Sequence, residues 1–316
     1  MNEIIVKRDQ QTQLQSIQAL NWHELYQRFI NYVDVSDNTI RTYTTSIKQF
    51  FVYLGKENIT NPKREDVIAY REYLKETGKK STTIQNYIVA LKQFFNWLEA
   101  EGIYQNISKN VKGVKISRNF KKDYLTADQV NEVLNAIDTS TLKGLRDYAL
   151  IALVVTCGLR TIEIVRADIQ DLRVAGASNV LYIQGKGRDD KQEYVKIEIP
   201  VERAIRAYLQ ARGKVEPEAP LFASTSNNNK DGRMTTRTIR GIVKQSFRAI
   251  GLDSDRLTAH SLRHTTATLN LLNGGTIEET QELLRHRNIA NTLIYSHHLN
   301  RADNMSERRV ANAIFE

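Results

Sequence analysis

Two short stretches near the C-terminus hold residues able to do chemistry together. They are His260-Ser261-Leu262-Arg263-His264, and Leu284-Arg285-His286 with Tyr295 nine residues after that histidine. His260 and Arg263 stand three apart, a spacing that makes them neighbours on a helix. Arginine's planar fork binds two oxygens at once and keeps its charge. Histidine trades protons near neutrality. A tyrosine phenol becomes a nucleophile once cations or a proton acceptor favour its phenolate. Together these groups suit attack of a phenolate on a phosphodiester, with fixed positive charge on the phosphate oxygens. Singly they say less. His260 and His264 have the spacing of a zinc pair, but no glutamate follows His260 directly, as the metalloprotease motif requires. Tyr295 alone reads as a half-buried aromatic. The set as a whole points to phosphoryl transfer.

Length and charge fit that chemistry. At 316 residues the chain should form about two domains with real cores. A net charge of +9 and a pI near 9.4 call for a polyanionic partner, nucleic acid first and an anionic membrane surface second. The longest apolar run, Tyr148 to Leu159, is too short to span a membrane and reads as a buried helix. The N-terminus lacks the apolar core of a secretion signal. The single cysteine, Cys157, allows no intramolecular disulfide and fits a reducing interior. At the end of that apolar helix it reads as a small buried thiol. A cytoplasmic, nucleoid-associated protein is expected.

The elements that must position the chemistry follow from hydrophobic spacing. Residues 1–20 are polar and glutamine-rich, a loose arm. Trp22, Leu25, Phe29 and Tyr32 recur at helical spacing and define a first helix. A second begins near Ser36 and ends at Gly55, a third spans Arg64 to Thr77 with Gly78 as its stop, and a fourth runs from Ser81 to Gly102. The second and fourth echo one another 44 residues apart, Thr39-Ile40-Arg41-Thr42-Tyr43 against Thr83-Ile84-Gln85-Asn86-Tyr87, both leading to Lys-Gln-Phe-Phe. On the second helix Ile40, Tyr43, Ile47, Phe50, Phe51 and Leu54 make an apolar side, and Asn38, Arg41, Thr45, Lys48 and Gln49 a polar one. Gln85 and Lys92 replace Arg41 and Lys48 on the copy. Two such faces could hold a duplex in its major groove, or be the ordinary wet side of a four-helix bundle.

A connector follows, spanning 106–122 and devoid of acidic residues. Lys115, Arg118, Lys121 and Lys122 recur along it, as do Lys109 and Lys112. It suits crossing a phosphate backbone better than mere solvation. The second domain, from residue 123, opens with Thr126-Ala127-Asp128-Gln129, a capping box. The apolar helix then stops at Gly158-Leu159-Arg160. Val180 to Gln184 and Tyr194 to Ile199 read as strands joined as a hairpin through residues 185–191, with Lys186 on its glycine-flanked loop. Helices resume from Val201, broken by a polar loop, Ser224 to Gly232, expected to be flexible. Val310, Ala311, Ile314 and Phe315 make one more short helix, within 303–316, that needs a surface to lie on.

Four motifs agree in order and spacing: Gly158-Leu159-Arg160 with Glu163, Gly185-Lys186-Gly187, His260-x-Leu262-Arg263-His264, and His286 with Tyr295. In these the chain resembles the tyrosine recombinase family, the phage-type integrases and Xer-type resolvases, from about Asn21 to the end. The resemblance implies a mainly α fold with a small antiparallel β-sheet in the catalytic domain. It implies two domains, a helical core-binding domain at 21–105 and a catalytic domain at 123–316, closing on DNA as a C-shaped clamp. It implies that Tyr295 attacks the scissile phosphate to form a 3'-phosphotyrosyl link while Arg160 and Arg263 hold the non-bridging oxygens. Lys186 would be the general acid, His260 and His286 would assist proton transfer, and Glu163 would brace the site. The broken bond is stored as an ester, so neither metal nor cofactor is expected. The partners implied are double-stranded DNA recombination sites and a homotetramer built by exchange of the C-terminal helix.

Two departures stand out. Arg188-Asp189-Asp190-Lys191 intervenes after Gly185-Lys186-Gly187 and Pro200 comes late, so the hairpin is longer and Lys191 rivals Lys186 for the acid role. Arg285 also stands where the family often has glycine, offering a further phosphate contact. Two other functions compete: an architectural DNA-binding protein, against which the complete catalytic set argues, and a type IB topoisomerase-like relaxing enzyme, against which the compact N-terminal helices argue.

Overall fold

The computed structural model describes residues 22–115, 123–185, 190–295 and 306–315. The expected arm, Arg118, Lys121, Lys122 and Lys186 lie outside these. The chain divides into two compact units, Met1–Arg118 and Asn119–Glu316.

The first unit holds α1 (Trp22–Tyr32), α2 (Asp37–Lys56), α3 (Arg64–Glu76) and α4 (Ser81–Ala100). The echoing apolar sides of α2 and α4 pack on one another, with Ile47, Phe50, Leu54, Ile88, Leu91 and Phe95 all buried. Aromatic rings knit the interior. Phe29 meets Phe94 edge to face at 5.3 Å, and Phe50 meets Tyr70 at 5.1 Å. Such pairs add about 0.5–1.5 kcal/mol each beyond their buried area.

Trp22 to Tyr32 form the helix that the spacing predicts, with Ile30 packed against the core and Tyr32 57% exposed at its end. Gly55 lies within α2, and the left-handed residue beyond that helix is Asn58 at φ 54°. An amide side chain tolerates that conformation, so the chain needs no glycine there. The expected connector also begins later than its composition suggests. Ile107 and Val111 are buried in this core, and Arg71 Nη1 donates to the Lys112 carbonyl at 2.7 Å. The stretch therefore belongs to the helical unit as far as its described residues run.

The second unit is built around α6 (Leu142–Cys157), preceded by α5 (Ala127–Asn135). The capping box forms as expected, the Gln129 N–H donating to Thr126 Oγ1 at 3.2 Å and the Thr126 N–H to Gln129 Oε1 at 3.0 Å. Every residue from Ala149 to Val155 is buried, as a helix apolar on all sides must be. After α7 (Thr161–Arg166) comes a three-stranded antiparallel sheet in the order β1 (Leu172–Ala175), β2 (Ser178–Ile183), β3 (Glu193–Lys196). Leu181 pairs with Leu172 on one side and Val195 on the other, a row turned to the core. One residue along, on the opposite face, Tyr194 pairs with Tyr182 and is half-exposed.

The strand β1 went unread because its four residues alternate too briefly. The turn at Gly176 (φ 61°) was the available signal. Ile199 is not strand; it begins α8 (Ile199–Arg212), where Pro200 fits the first turn. Residues 224–232, expected to be flexible, are tied across their base: the Ser224 N–H donates to the Gly232 carbonyl at 2.9 Å and the Asp231 N–H to the Ser224 carbonyl at 2.9 Å. Then follow α9 (Thr236–Ala249), α10 (Ala259–Leu272), α11 (Ile277–Leu284), α12 (Ala290–Leu293) and α13 (Ser306–Phe315). Both α8 and α10 pack on α6. On α13, Val310, Ile314 and Phe315 are 58%, 65% and 84% exposed. No helix among the described residues is long and apolar enough to cross a membrane.

Candidate active site

The end of α6 fixes the site. Gly158 caps that helix at φ 58°, and a Cβ there would lie 2.6 Å from Leu284 Cδ2, so both backbone and space require glycine. Its exposed carbonyl becomes an anchor. Arg263, on α10 and 1% exposed, donates from Nη1 to the Gly158 carbonyl and from Nη2 to the Leu284 carbonyl. Desolvation, then the Arg160 and Arg285 guanidinium groups, push its pKa down to about 9, which leaves it charged at neutrality.

Arg160 sits at the N-terminal boundary of α7, where Glu163, one turn on, reaches back to it. Arg160 Nη1 donates to Glu163 Oε1 at 2.8 Å, and the Arg160 backbone N–H to Oε2 at 2.8 Å. Glu163 is fully buried, while the Arg160 side chain stays 31% exposed, so part of its fork faces outward. Burial alone would raise the Glu163 pKa. Arg285 first, then the Arg160 N–H and guanidinium, outweigh it and hold the carboxyl below the ordinary glutamate value. Arg285 Nη2 donates to Glu163 Oε2 at 3.1 Å. Two guanidinium groups thus share one carboxylate, with Arg263 close enough to interact with it electrostatically, leaving a local excess of positive charge suited to an anion.

The two histidines expected at the site differ in setting. His260 is exposed in the first turn of α10. His286 follows α11 and is half-buried, its Nδ1 hydrogen-bonded to Thr292 Oγ1 at 2.9 Å and its N–H donating to the Gln281 carbonyl at 3.0 Å. Desolvation, then Arg263, Arg160, Arg285 and His260, push its pKa down to about 4. His286 is therefore a neutral imidazole at neutral pH, a hydrogen-bonding group rather than a cation. His264, by contrast, is fully buried. Among the described residues no group of three or more His, Cys, Asp or Glu could hold a metal ion.

Tyr295 closes the set. It is 2% exposed, packed with Ala267, Leu271 and Leu284. Its ring lies 4.9 Å from His264, edge to face, and 6.4 Å from His286, stacked. Burial pushes the phenol pKa up, and Arg263 and Arg160 pull against that shift without cancelling it.

The structure brings Arg160, Glu163, Arg263, His286 and Tyr295 into one cluster, with His260 near enough to affect His286. Lys191, the rival acid, is engaged elsewhere: its Nζ donates to Asp168 Oδ2 at 2.6 Å and to Asp171 Oδ2 at 2.5 Å. Lys191 is thus a strut between the β2–β3 connection and the segment after α7. Arg285 departs from its expected role. Its side chain is 8% exposed and turned inward onto Glu163 and backbone carbonyls. Sequence reasoning missed this buried role because a charged residue at a position usually held by glycine reads as a surface feature.

Cys157, next to Gly158, donates from Sγ to the Lys196 carbonyl at 3.2 Å, and burial raises its thiol pKa. A cleft of about 990 Å3 opens beside the site, reaching Cys157, Arg285 and His286. Glu193, Glu198, Glu278, Glu279 and Glu282 line it together with Lys196, Arg285 and Arg287, so its wall carries charge of both signs.

The expected DNA-facing residues of the helical unit are mostly on the surface. Arg41, Lys48 and Lys115 are exposed and Lys92 is half-buried. Gln85 is the exception: its Oε1 accepts from the Val114 N–H at 3.2 Å, tying the following segment to α4.

Comparison with known proteins agrees with this arrangement. The family described as "Phage integrase family" matches residues 123–301, and "Phage integrase, N-terminal SAM-like domain" matches 24–102. Tyrosine recombinase XerC of Herpetosiphon aurantiacus is 32% identical over 284 residues, 86% of this chain and 89% of that one. Tyrosine recombinase XerD of Listeria monocytogenes is 29% identical over 291 residues, 87% of this chain and 94% of that one. In fold, the chain is similar to the XerH site-specific recombinase bound to a palindromic difH substrate, with TM-score 0.69 at 23% identity over 94% of this chain and 85% of that one. A lambda integrase dimer bound to a COC' core site gives TM-score 0.67 at 18% identity, over 86% of this chain and 97% of that one. The described strands and helices, the clustered arginines and these likenesses together place the chain in the phage integrase family, among the tyrosine-type site-specific recombinases.

Proposed function

We propose that this recombinase cuts and rejoins double-stranded DNA through a covalent bond between Tyr295 and a 3'-phosphate. The observation that carries the reading is the burial of Tyr295 beside two guanidinium groups, Arg263 and Arg160, that act electrostatically on its phenol. Arg160 and Arg263 bind the non-bridging oxygens of the scissile phosphate. Charge grows on those oxygens as the phenolate attacks in line, and fixed guanidinium groups stabilise it without reorganising. Neutral His286 and the exposed His260 share the proton and phosphate contacts, and Lys186 protonates the departing 5'-hydroxyl. One phosphoester replaces another, so a second strand's 5'-hydroxyl can reverse the step without nucleotide energy.

Around that centre, the helical unit and the catalytic unit both bind the duplex. Arg41, Lys48, Lys92, Lys115, Arg118, Lys121 and Lys122 meet its backbone and groove. Four copies assemble on two sites by passing α13 to a neighbour. The uncovered apolar side of α13 supports this, because a ten-residue helix is marginal in water without a surface to lie on. The deciding experiment uses a nicked duplex that traps the covalent complex. Wild-type protein should yield a nucleotide on the peptide bearing Tyr295 by mass spectrometry, and Tyr295→Phe should bind equally and yield none. An adduct in Tyr295→Phe removes the reading. Deleting residues 303–316 should leave cleavage of one site intact and abolish tetramers on paired sites.

A further inference from the structure

We infer that Arg285 is a positioning residue of the recombination site, holding from a left-handed helix terminus the two anchors on which Arg160 and Arg263 rest. The inference rests on the proposed reading that those two arginines bind the scissile phosphate.

The backbone gives the first argument. Arg285 caps α11 at φ 54°, ψ 47°. Glycine takes this conformation freely and an arginine does so under strain. A side chain kept there against that strain must act through its own contacts.

Those contacts all lead to the site. Nη2 donates to Glu163 Oε2 at 3.1 Å and to the Gly158 carbonyl at 3.3 Å, and Nη1 to the Cys157 carbonyl at 3.3 Å and the Leu283 carbonyl at 2.8 Å. Glu163 is the carboxylate that fixes the Arg160 fork, and the Gly158 carbonyl also receives Arg263 Nη1. One buried guanidinium therefore touches the anchor of each phosphate-binding arginine. Its Nε has no hydrogen-bond partner among the described residues. The group is thus placed for its Nη contacts at the expense of its third donor.

Charge gives the second argument. Arg285 is the strongest influence holding the buried Glu163 ionised. Without it, desolvation favours protonation of that carboxyl, and a neutral Glu163 grips Arg160 less firmly. Partners that orient the groups in contact with substrate commonly change activity by 10–100-fold when removed.

The test is single-turnover formation of the Tyr295 adduct on a nicked duplex, measured against pH for wild type, Arg285→Gly and Arg285→Lys, with Tyr295→Phe alongside. Arg285→Gly suits the left-handed backbone and deletes the guanidinium. It should bind the duplex within about twofold of wild type yet form adduct at least about tenfold more slowly. Its low-pH limb, where Glu163 takes up a proton, should move to higher pH. Arg285→Lys, which restores charge without the fork, should recover part of the rate. Wild-type rate and profile in Arg285→Gly would overturn the inference and leave Arg285 as filling only. Should Arg285→Gly fail to fold, Arg285→Lys decides: a slowed rate with the limb held in place supports the role, since charge is kept and only the fork is lost, and a wild-type rate overturns it. An adduct in Tyr295→Phe would instead sink the underlying site reading.

Discussion

The imidazole of His264 meets the ring of Tyr295 edge to face, with centroids 4.9 Å apart and planes at 87°. The face of the same imidazole stacks on Tyr124 at 5.8 Å. A ring held between two others fixes where the Tyr295 phenol rests. His264→Ala removes a fully buried side chain from behind Tyr295. A loss of about 2 kcal/mol is expected, a fall in Tm of roughly 4–8 °C for a unit of this size. His264→Phe, which keeps a ring, should retain most of it. Differential scanning calorimetry of the two variants checks the order.

Protonation of His286 should play no part in the pH dependence near neutrality. Its folded pKa of about 4 lies below the ordinary value of about 6.5, so the imidazole is neutral across the working range. The Tyr295 phenol is shifted the other way, so the phenolate fraction, and with it the cleavage rate, should climb as pH rises above 7. Histidine NMR should show no titration of His286 down to pH 5. A midpoint near 6.5 would contradict the burial and charge described.

Glu163→Gln should both destabilise and inactivate. Removing the one carboxylate shared by buried guanidinium groups costs about 3–5 kcal/mol. The acid limb provides a signed check. The folded pKa of Glu163 lies below its unfolded value of about 4.3, so its contribution is fully present above that pH and lost as pH falls through the folded value. Acid denaturation monitored by circular dichroism should therefore be less steep in Glu163→Gln than in wild type.

Lys186 and Lys191 should separate by chemistry. A duplex whose scissile 5'-bridging oxygen is replaced by sulfur carries a leaving group that needs no proton. Lys186→Ala should cleave ordinary DNA orders of magnitude more slowly and recover on the sulfur substrate. Lys191→Met should lose about 1–3 kcal/mol of stability, since Asp171 is left buried without its ammonium partner, and should gain nothing from sulfur. Rescue of Lys191→Met by sulfur would transfer the acid role to it.

Binding to the duplex should weaken steeply with salt, as counterion release requires for a chain of net charge +9. Replacing exposed Arg41 or Lys48 by alanine should lower the slope of log K against log salt by about 1 each, if each neutralises one phosphate. Fluorescence anisotropy across a salt series measures this.

The helical periodicity of α2 and α4 was readable because each must bury one side, and burial leaves a spacing of three and four in the sequence. The order of motifs from Gly158 to Tyr295 was readable because each residue type is needed for its chemistry. Two kinds of feature were not. The strand β1 is short and half-exposed, so four residues carry too little alternation to declare themselves. The role of Arg285 depends on where Glu163, Cys157 and Gly158 converge, positions more than 100 residues away along the chain. Only the folded arrangement shows that its guanidinium turns inward. Gln85 misled for the same reason, since its partner Val114 lies in a stretch that composition marks as a connector.

The sole sulfhydryl of the chain is 3% exposed, bound to a strand carbonyl and kept as the thiol by burial. Thiol-directed dyes and spin labels should therefore pass the native protein by. A cysteine introduced on α13 or on α2 would be the one handle they find, so distances between subunits and along bound DNA can be read without stripping the natural residue first.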